Sequence, residues 1–445
     1  MDQSYMKENK ILPLILTMSL PMILGMLVNS LYNIVDSYFV AKISEEAMTA
    51  ISLVYPIQLV VTAVTVGLGI GVNAIASYFL GAEEEDKADT TVALGLFLSV
   101  IQGIILTVGC IIVLKPFVSL FTSNQTIMDN AIQYGIVAFL FTIPNSIQIA
   151  YEKIFQAEGK MTVSMIAMMA GCIANIILDP MMIFGYGFSA MGIQGAALAT
   201  GLGQVVSLVV YLFCFYVKGS RFHVHFNKNI FNANILKRVY VIAFPSMINL
   251  SLGSIMITLL NGILAQFSDL HVLVLGIYYK LQTFIYLTVN GLVQGIRPLI
   301  SYNYGASENN RVKEIYKTSL TIAIIIMTLG TIISWLFSSQ LISLFTSNLE
   351  TINIGITALR IISCGFIISS VSVIVCGTEE ALGNGNASLF ISLLRFIIIL
   401  VPVAFILAKV IGSNGVWLAF PIAETTTTII SYFLIKNTFK KTLTN

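Results

Sequence analysis

The segment GLGIGVNAIASYFLGA (67–82) has a counterpart in the second half of the chain, GLVQGIRPLISYNYGA (291–306). The motif LFTSN occurs twice at the same offset, at 120–124 and again at 344–348. Further pairs match at this offset: Pro21 with Pro245, Tyr55 with Tyr279, Gln58 with Gln282, Gly71 with Gly295, and Gly159 with Gly383. Matches at one offset over most of each half indicate a tandem duplication. The repeat is too long for a solenoid or a propeller.

Composition indicates what has been duplicated. The chain is 57% apolar and 10% charged, whereas an ordinary soluble domain is about 25% charged. Its apolar runs approach or exceed the roughly 20 residues that a helix needs to cross a bilayer. We expect twelve transmembrane helices, at 13–40, 47–79, 92–114, 127–150, 161–184, 195–217, 239–266, 272–303, 318–338, 351–376, 389–411 and 415–435. The sequence therefore predicts an all-α integral membrane protein.

Six helices in each repeat is an even number, so both repeats start on the same side of the membrane. We expect two bundles related by a pseudo-two-fold axis along the membrane normal, which is a parallel repeat. The predicted domains are an N-terminal six-helix bundle at 1–217, a cytoplasmic linker at 218–238 and a C-terminal six-helix bundle at 239–445.

The distribution of Lys and Arg predicts the orientation. With both termini inside, sixteen of the 23 basic residues lie on inner segments, three on outer segments and four within spans. This bias follows the positive-inside rule and predicts a multi-pass cell-membrane protein with cytoplasmic termini. The net charge of +2 gives no reason to expect a nucleic-acid partner. We expect a monomer whose surroundings are the lipid bilayer.

Several kinds of chemistry are missing from the sequence. It contains no GxxxxGK[ST] loop, no nucleophile elbow and no HExxH motif. Its five cysteines lie in apolar runs without metal-ligand spacing, as expected of small buried side chains. We therefore expect no enzymatic activity and no cofactor. If the protein moves a solute uphill, an ion gradient supplies the energy.

Polar side chains that share a helical face in the first repeat are candidates for binding that ion. Asn33 and Asp36 share a helical face on the first span, and Asn175 and Asp179 share one on the fifth. Thr200 begins a similar pair on the sixth span. Buried charges are costly in a bilayer and usually functional. Carboxylate and amide oxygens suit Na⁺, and neighbouring buried carboxyls also favour a shared proton. A purely structural role, as polar contacts between helices, is the alternative.

The second repeat has leucine where the first has Asp36, and it carries a different stripe. Its eighth span presents Gln282, Tyr286, Asn290 and Gln294 at a spacing of one helical turn. We interpret this stripe as the lining of a water-filled cavity, with helix–helix contact as the alternative. Met165 and Met168 belong to a methionine-rich span, and such side chains suit an adaptable apolar pocket or ordinary packing. The sequence leaves open whether four cationic residues within the spans are structural or functional: Lys280, Arg297, Arg360 and Arg395.

Several motifs together carry a family resemblance: SLP (19–21) and AFP (243–245), NIVDSYFV (33–40), the paired segments at 67–82 and 291–306, NIILDPMMIF (175–184) and GIQGAALAT (192–200). In these the chain resembles the multidrug and toxic compound extrusion (MATE) family over essentially its whole length, in the MepA-like and DinF-like branch.

The resemblance implies two six-helix bundles around a V-shaped cleft and export of organic cations in exchange for Na⁺ or H⁺. It places the cation site at Asp36, Asn175 and Asp179, with Asn33 and Thr200 beside it. We favour H⁺ because the site has two buried acids. One alternative is a lipid-linked precursor flippase, whose phosphates would need cations such as Arg297 and Arg395. A membrane enzyme or receptor is the other.

Overall fold

The computed structural model describes residues 4–187, 189–224 and 230–443, and within them the secondary structure is helical, without strands. The helices are α1 (Ser4–Glu8), α2 (Ile11–Ala41), α3 (Glu45–Gly81), α4 (Glu85–Ser119), α5 (Gln125–Leu140), α6 (Thr142–Ala157), α7 (Met161–Phe184), α8 (Ile193–Tyr216), α9 (Ala233–Leu264), α10 (Asp269–Gly305), α11 (Asn309–Leu336), α12 (Ser338–Ser343), α13 (Leu349–Ala381), α14 (Gly385–Leu393), α15 (Leu400–Ile411) and α16 (Ser413–Thr442). A π-helical turn, Leu394–Ile398, joins α14 to α15.

These helices match the twelve predicted spans. In the described part of the chain, eleven helical segments are long and apolar enough to cross a membrane, with α14 and α15 counted as one. The bent pair of α5 and α6 makes a twelfth if it is one span. The predicted class, an all-α multi-pass membrane protein, is confirmed.

The fourth span is broken, which the sequence pattern does not predict. Helices α5 and α6 meet at an angle of 44°. Pro144 lies in the first turn of α6 and has no amide proton to donate to the preceding turn. Thr107 of α4 donates to the buried backbone carbonyl of Phe139, next to the break, at 3.0 Å. The ring of Phe141, at the break itself, packs against Gly201 of α8.

The described residues form two compact units, and each takes part of a helix from the opposite repeat. The first unit comprises residues 24–243, so it includes the start of α9. Gly71 of α3 makes this packing possible, because a Cβ atom there would lie 2.5 Å from the carbonyl oxygen of Val239. Only glycine lets the two helices approach so closely.

The second unit comprises residues 4–23 and 244–443, so it includes the start of α2. A Cβ atom on Gly295 of α10 would lie 2.8 Å from the Cα atom of Ser19. Gly295 is the repeat counterpart of Gly71, and Ala243, which contacts Gly71, is the counterpart of Ser19. Both units thus use the same repeat positions for this contact. The division passes through α2 and α9, whereas the predicted boundary is the linker at 218–238.

The linker begins after α8 and is partly helical, since α9 starts at Ala233. Arg221 forms an ion pair with Glu85 at 2.6 Å, and the amide of His223 donates to Asp89 at 2.9 Å. Both contacts attach the linker to the first turns of α4. Linker residues 225–229 lie outside the described residues, as do both chain ends.

Candidate functional site

Helices α7 and α8 pack through facing glycines, and this contact positions the polar residues on both helices. A Cβ atom on Gly171 would lie 2.7 Å from the carbonyl oxygen of Gly203, and one on Gly203 would lie 2.8 Å from the carbonyl oxygen of Gly171. Larger residues at either position would separate the helices. The close approach brings Asn175 of α7 within hydrogen-bond range of Thr200 of α8.

Four of the predicted cation-site residues come together in the first unit. The Nδ2 atom of Asn175 donates to Asp179 Oδ1 at 3.2 Å and to Thr200 Oγ1 at 3.3 Å. The carboxyl group of Asp36, from α2, lies next to that of Asp179. Asn175 is 2% exposed and Asp179 is fully buried, at 0%. Two neighbouring buried carboxylates repel each other, so the pair favours a shared proton or a bound cation.

Three oxygen atoms of these residues accept no hydrogen bond from the described part of the chain. Asp36 Oδ1, Asp179 Oδ2 and Asn175 Oδ1 are buried, and none has a hydrogen-bond partner among the described residues. Buried polar atoms are nearly always paired, so orphaned ones call for an explanation. Carboxylate and amide oxygens accept but do not donate. A small cation can contact all three atoms, whereas a proton on one carboxyl group can be shared with only one other oxygen.

Asn33, the fifth predicted residue, takes a different position. Its Nδ2 atom donates to the carbonyl and side-chain oxygens of Asn29, at 2.8 and 3.2 Å, one turn earlier on α2. Together with Asn175 and Thr200, it lines a cavity of about 380 Å³ inside the first unit. The cavity is lined by Asn29, Tyr32, Asn33, Tyr55, Gln58, Leu59, Thr62, Val66, Asn145, Gln148, Ile149, Glu152, Met168, Gly171, Cys172, Asn175, Thr200, Gly203, Gln204 and Ser207.

The cavity also contains an acid that the sequence pattern does not single out. Glu152 Oε1 accepts from the Nζ atom of Lys153 and from the Nε2 atom of Gln156, both at 2.8 Å. The predicted spans leave Lys153 in an inner loop, but it lies on α6 and is 3% exposed. The predicted span stops too early, because an adjacent acid and base look like a polar loop. The spacing of Glu152 and Gln156 by one turn is the signal that could have found this cluster.

In the second unit, the predicted polar stripe on α10 is only partly available for a ligand. Asn290 is exposed. The hydroxyl of Tyr286 contacts Ser369 Oγ at 2.7 Å and accepts from Arg395 Nη2 at 3.1 Å. Gln282 also hydrogen-bonds to Tyr286. Of the two predicted methionines, Met168 lines the cavity of the first unit.

Two of the cationic residues within the spans form buried ion pairs. Arg297 pairs with Glu380 at 2.7 Å, and Arg395 pairs with Glu424 at 2.7 Å. Their charges are therefore matched inside the second unit. In the part of the chain that the structure describes, no three His, Cys, Asp or Glu side chains are grouped to hold a metal ion.

Comparison with known proteins identifies the family. The family model described as MatE matches this chain twice, at residues 21–181 and 245–406. The chain belongs to the MatE family. Each match covers most of one repeat, in agreement with the tandem duplication. The resemblance to the multidrug and toxic compound extrusion family is confirmed.

Relatives and solved structures agree with this assignment. The multidrug export protein MepA of Staphylococcus saprophyticus is 25% identical over 97% of this chain and 95% of its own. An outward-facing multidrug resistance MATE transporter has the same fold, with a TM-score of 0.94 at 23% identity over 100% of this chain and 99% of that one. A MOP superfamily transporter from Pyrococcus furiosus gives a TM-score of 0.93 at 23% identity, with the same coverage.

Proposed function

We propose that this MATE-family protein exports organic cations and other drugs across the cell membrane in exchange for H⁺ or Na⁺. The buried carboxyl pair of Asp36 and Asp179 carries the proposal. Its oxygens Asp36 Oδ1 and Asp179 Oδ2 have no donor among the described residues, and neighbouring buried acids favour binding of a proton or a cation. Family membership and the similarity to the multidrug export protein MepA support export of drugs, and organic cations are the substrate class that we propose. The termini are cytoplasmic and the functional unit is a monomer.

Coupling follows from a difference in ion affinity between two states of the transporter. A ligand that binds both states equally shifts nothing, so the site must change as the transporter reorients. Asp36 reaches the site from α2, whereas Asn175, Asp179 and Thr200 lie on the closely packed α7 and α8. Binding an ion removes the repulsion between the carboxyl groups and fixes the end of α2 against α7. Pro21 lies inside α2 and weakens its hydrogen-bond ladder, which lets the helix bend.

Each repeat has its own candidate drug contacts. In the second repeat, the polar contacts are Gln282, Tyr286, Asn290 and Gln294. In the first repeat, the adaptable apolar contacts are Met165 and Met168. Organic cations vary in shape, and flexible thioether side chains can repack around them. The ion and the drug then compete through the conformational equilibrium rather than through one shared site.

The flippase alternative needs cations for lipid phosphates, and the sequence offers Lys280, Arg297, Arg360 and Arg395. Two of these, Arg297 and Arg395, are paired with Glu380 and Glu424, which favours the exporter.

Vesicles containing the purified protein test the proposal. An imposed ion gradient should move a fluorescent organic cation against its own gradient, and protein-free vesicles serve as the control. Equal movement with and without the ion gradient would contradict exchange. Transport of a fluorescent lipid-linked phosphate instead would favour the flippase.

A further inference from the structure

One interior position carries a glycine in the first repeat and an arginine in the second. Helices α3 and α10 begin at matching positions of the tandem repeat, and so do α7 and α14, so residues on these helices can be paired directly. Gly171 is the eleventh residue of α7, and Arg395 is the eleventh counted from the start of α14. Counting in the same way from the starts of α8 and α16 pairs Gln204 with Glu424.

In the first unit these positions border open space. Gly171 and Gln204 both line the 380 Å³ cavity, together with Thr62 of α3 and Asn145. The cavity also reaches Asn175, whose amide contacts Asp179. The coupling ion of the proposed function thus has a polar space next to its acids.

In the second unit the positions matched to Thr62, Gly171 and Gln204 carry larger or charged side chains, and the position matched to Asn145 carries a serine. Thr62 corresponds to Tyr286, Asn145 to Ser369 and Gly171 to Arg395. These three residues and Glu424 form one connected network: Arg395 bonds Glu424 and Tyr286, and Tyr286 bonds Ser369. The guanidinium group therefore lies in the second unit where the first unit has its cavity.

The charge balance of this network depends on Arg395. Glu424 Oε1 accepts from Arg395 Nε at 2.7 Å, whereas Glu424 Oε2 is buried with no partner among the described residues. An acid with a spare buried oxygen resembles the Asp36–Asp179 site, except that its counter-charge belongs to the protein. The π-helical turn Leu394–Ile398 contains Arg395, and such turns are frequent at functional sites.

We propose that Arg395 is a built-in cation that occupies the second unit's equivalent of the ion cavity and keeps Glu424 from binding a coupling ion. The ion then binds only in the first unit, and Arg395 sets the number of ions exchanged in each cycle. This inference rests on the proposed function, because it explains why the coupling ion binds in the first repeat and not in the second.

The test measures ion binding directly, so its outcome does not depend on transport. The full-length parent carries Asp36→Asn and Asp179→Asn, which removes the acids of the first unit. Thermal unfolding is followed while NaCl replaces choline chloride at constant ionic strength, and separately between about pH 5 and pH 8. Fluorescence gives a second readout, since Trp417 lies on α16 two turns before Glu424 and the chain has two tryptophans.

Other titratable groups around Glu424 make a matched control necessary. Arg395, Tyr286, Tyr278 and Tyr279 interact with it electrostatically, and Cys376 faces Arg395. Only a response that Glu424→Gln abolishes therefore counts as binding at Glu424.

The parent should show no such response to Na⁺ or to pH. Adding Arg395→Gly, which copies the first repeat, should produce a saturable rise in unfolding temperature with one of the two ions. Adding Glu424→Gln as well should abolish it. If Arg395→Gly does not fold, Arg395→Gln fills the same space without charge and should show the same rise.

Two results would overturn the proposal. One is a response of the parent that Glu424→Gln removes, because Glu424 would then bind an ion despite Arg395. The other is a folded Arg395→Gly or Arg395→Gln protein that responds to neither ion. If the first-unit acids prove to bind no ion, the proposed function fails. The comparison of the parent with the Arg395 and Glu424 variants still tests whether Arg395 prevents ion binding at Glu424.

Discussion

Gly171→Ala tests whether the close packing of α7 and α8 holds the cation site together. The new Cβ atom would overlap Ser207 Oγ, a side-chain atom that can rotate away, and would lie 2.7 Å from the Gly203 carbonyl oxygen, whereas ordinary contacts begin at 3.4 Å. The helices must therefore separate by about 0.7 Å, because packed interiors cannot absorb the overlap. The hydrogen bond from Asn175 to Thr200, now 3.3 Å, would lengthen to about 4.0 Å and be lost.

The substitution should change the free energy of unfolding only slightly and should mainly alter the ion dependence of transport. Overpacking costs about 1–3 kcal/mol, and replacing glycine by alanine in a helix returns about 1 kcal/mol. Loss of one hydrogen bond at the site removes about 1 kcal/mol of ion binding, which is about a fivefold rise in the ion concentration at half-maximal transport.

The assay is drug efflux from vesicles as a function of the concentration of the driving ion. Gly109→Ala is the matched control, since it changes the same residue type in the same unit where nothing lies within 4 Å. It should leave the half-maximal concentration unchanged. A folded Gly171→Ala protein with an unshifted half-maximal concentration would refute the link between glycine packing and the ion site.

Three further changes probe the account. Asp36→Asn should abolish drug resistance in cells at normal expression and membrane insertion, and wild-type resistance would contradict its role in coupling. Thr200→Val removes the same hydrogen bond without moving a helix, so ion dependence should shift about fivefold; an unshifted ion titration would place Thr200 outside the site. Gly71→Leu should prevent the packing of α9 on α3 and give little folded protein on size-exclusion chromatography; a normal yield would be inconsistent with the 2.5 Å approach to Val239.

Much of the fold could be predicted because membrane helices leave a strong signal. Length and apolar composition locate the spans, and a single constant offset between matching motifs reveals the duplication. The break at Phe141 could not be predicted from Pro144, because other helices, such as α2 and α3, contain a proline and stay unbroken. The sequence also does not show that the first turns of α2 and α9 pack in the unit of the opposite repeat. Gly71 and Gly295 indicate that another helix comes close, but they do not indicate which helix.

In the candidate site, contacts within one helix could be predicted, whereas contacts between helices could not be predicted from spacing alone. Asn175 and Asp179 lie one helical turn apart on the same face, so their proximity follows from helix geometry alone. The proximity of Asp179 to Asp36 was expected from the family resemblance, because the cost of buried charge marks each acid as functional without indicating that the two lie together. The pairing of Arg395 with Glu424 could not be predicted, because the two residues lie 29 positions apart on separate helices.

Drug efflux from vesicles under one ion gradient at a time tests the central claim most directly. The wild-type protein is given only a pH gradient and then only a Na⁺ gradient, and Asp36→Asn is measured in parallel. We expect the pH gradient alone to drive efflux, and Asp36→Asn to abolish it. Efflux driven only by Na⁺ would overturn the preference for H⁺. Efflux that neither gradient drives, or that survives Asp36→Asn, would contradict ion exchange at the site formed by Asp36 and Asp179.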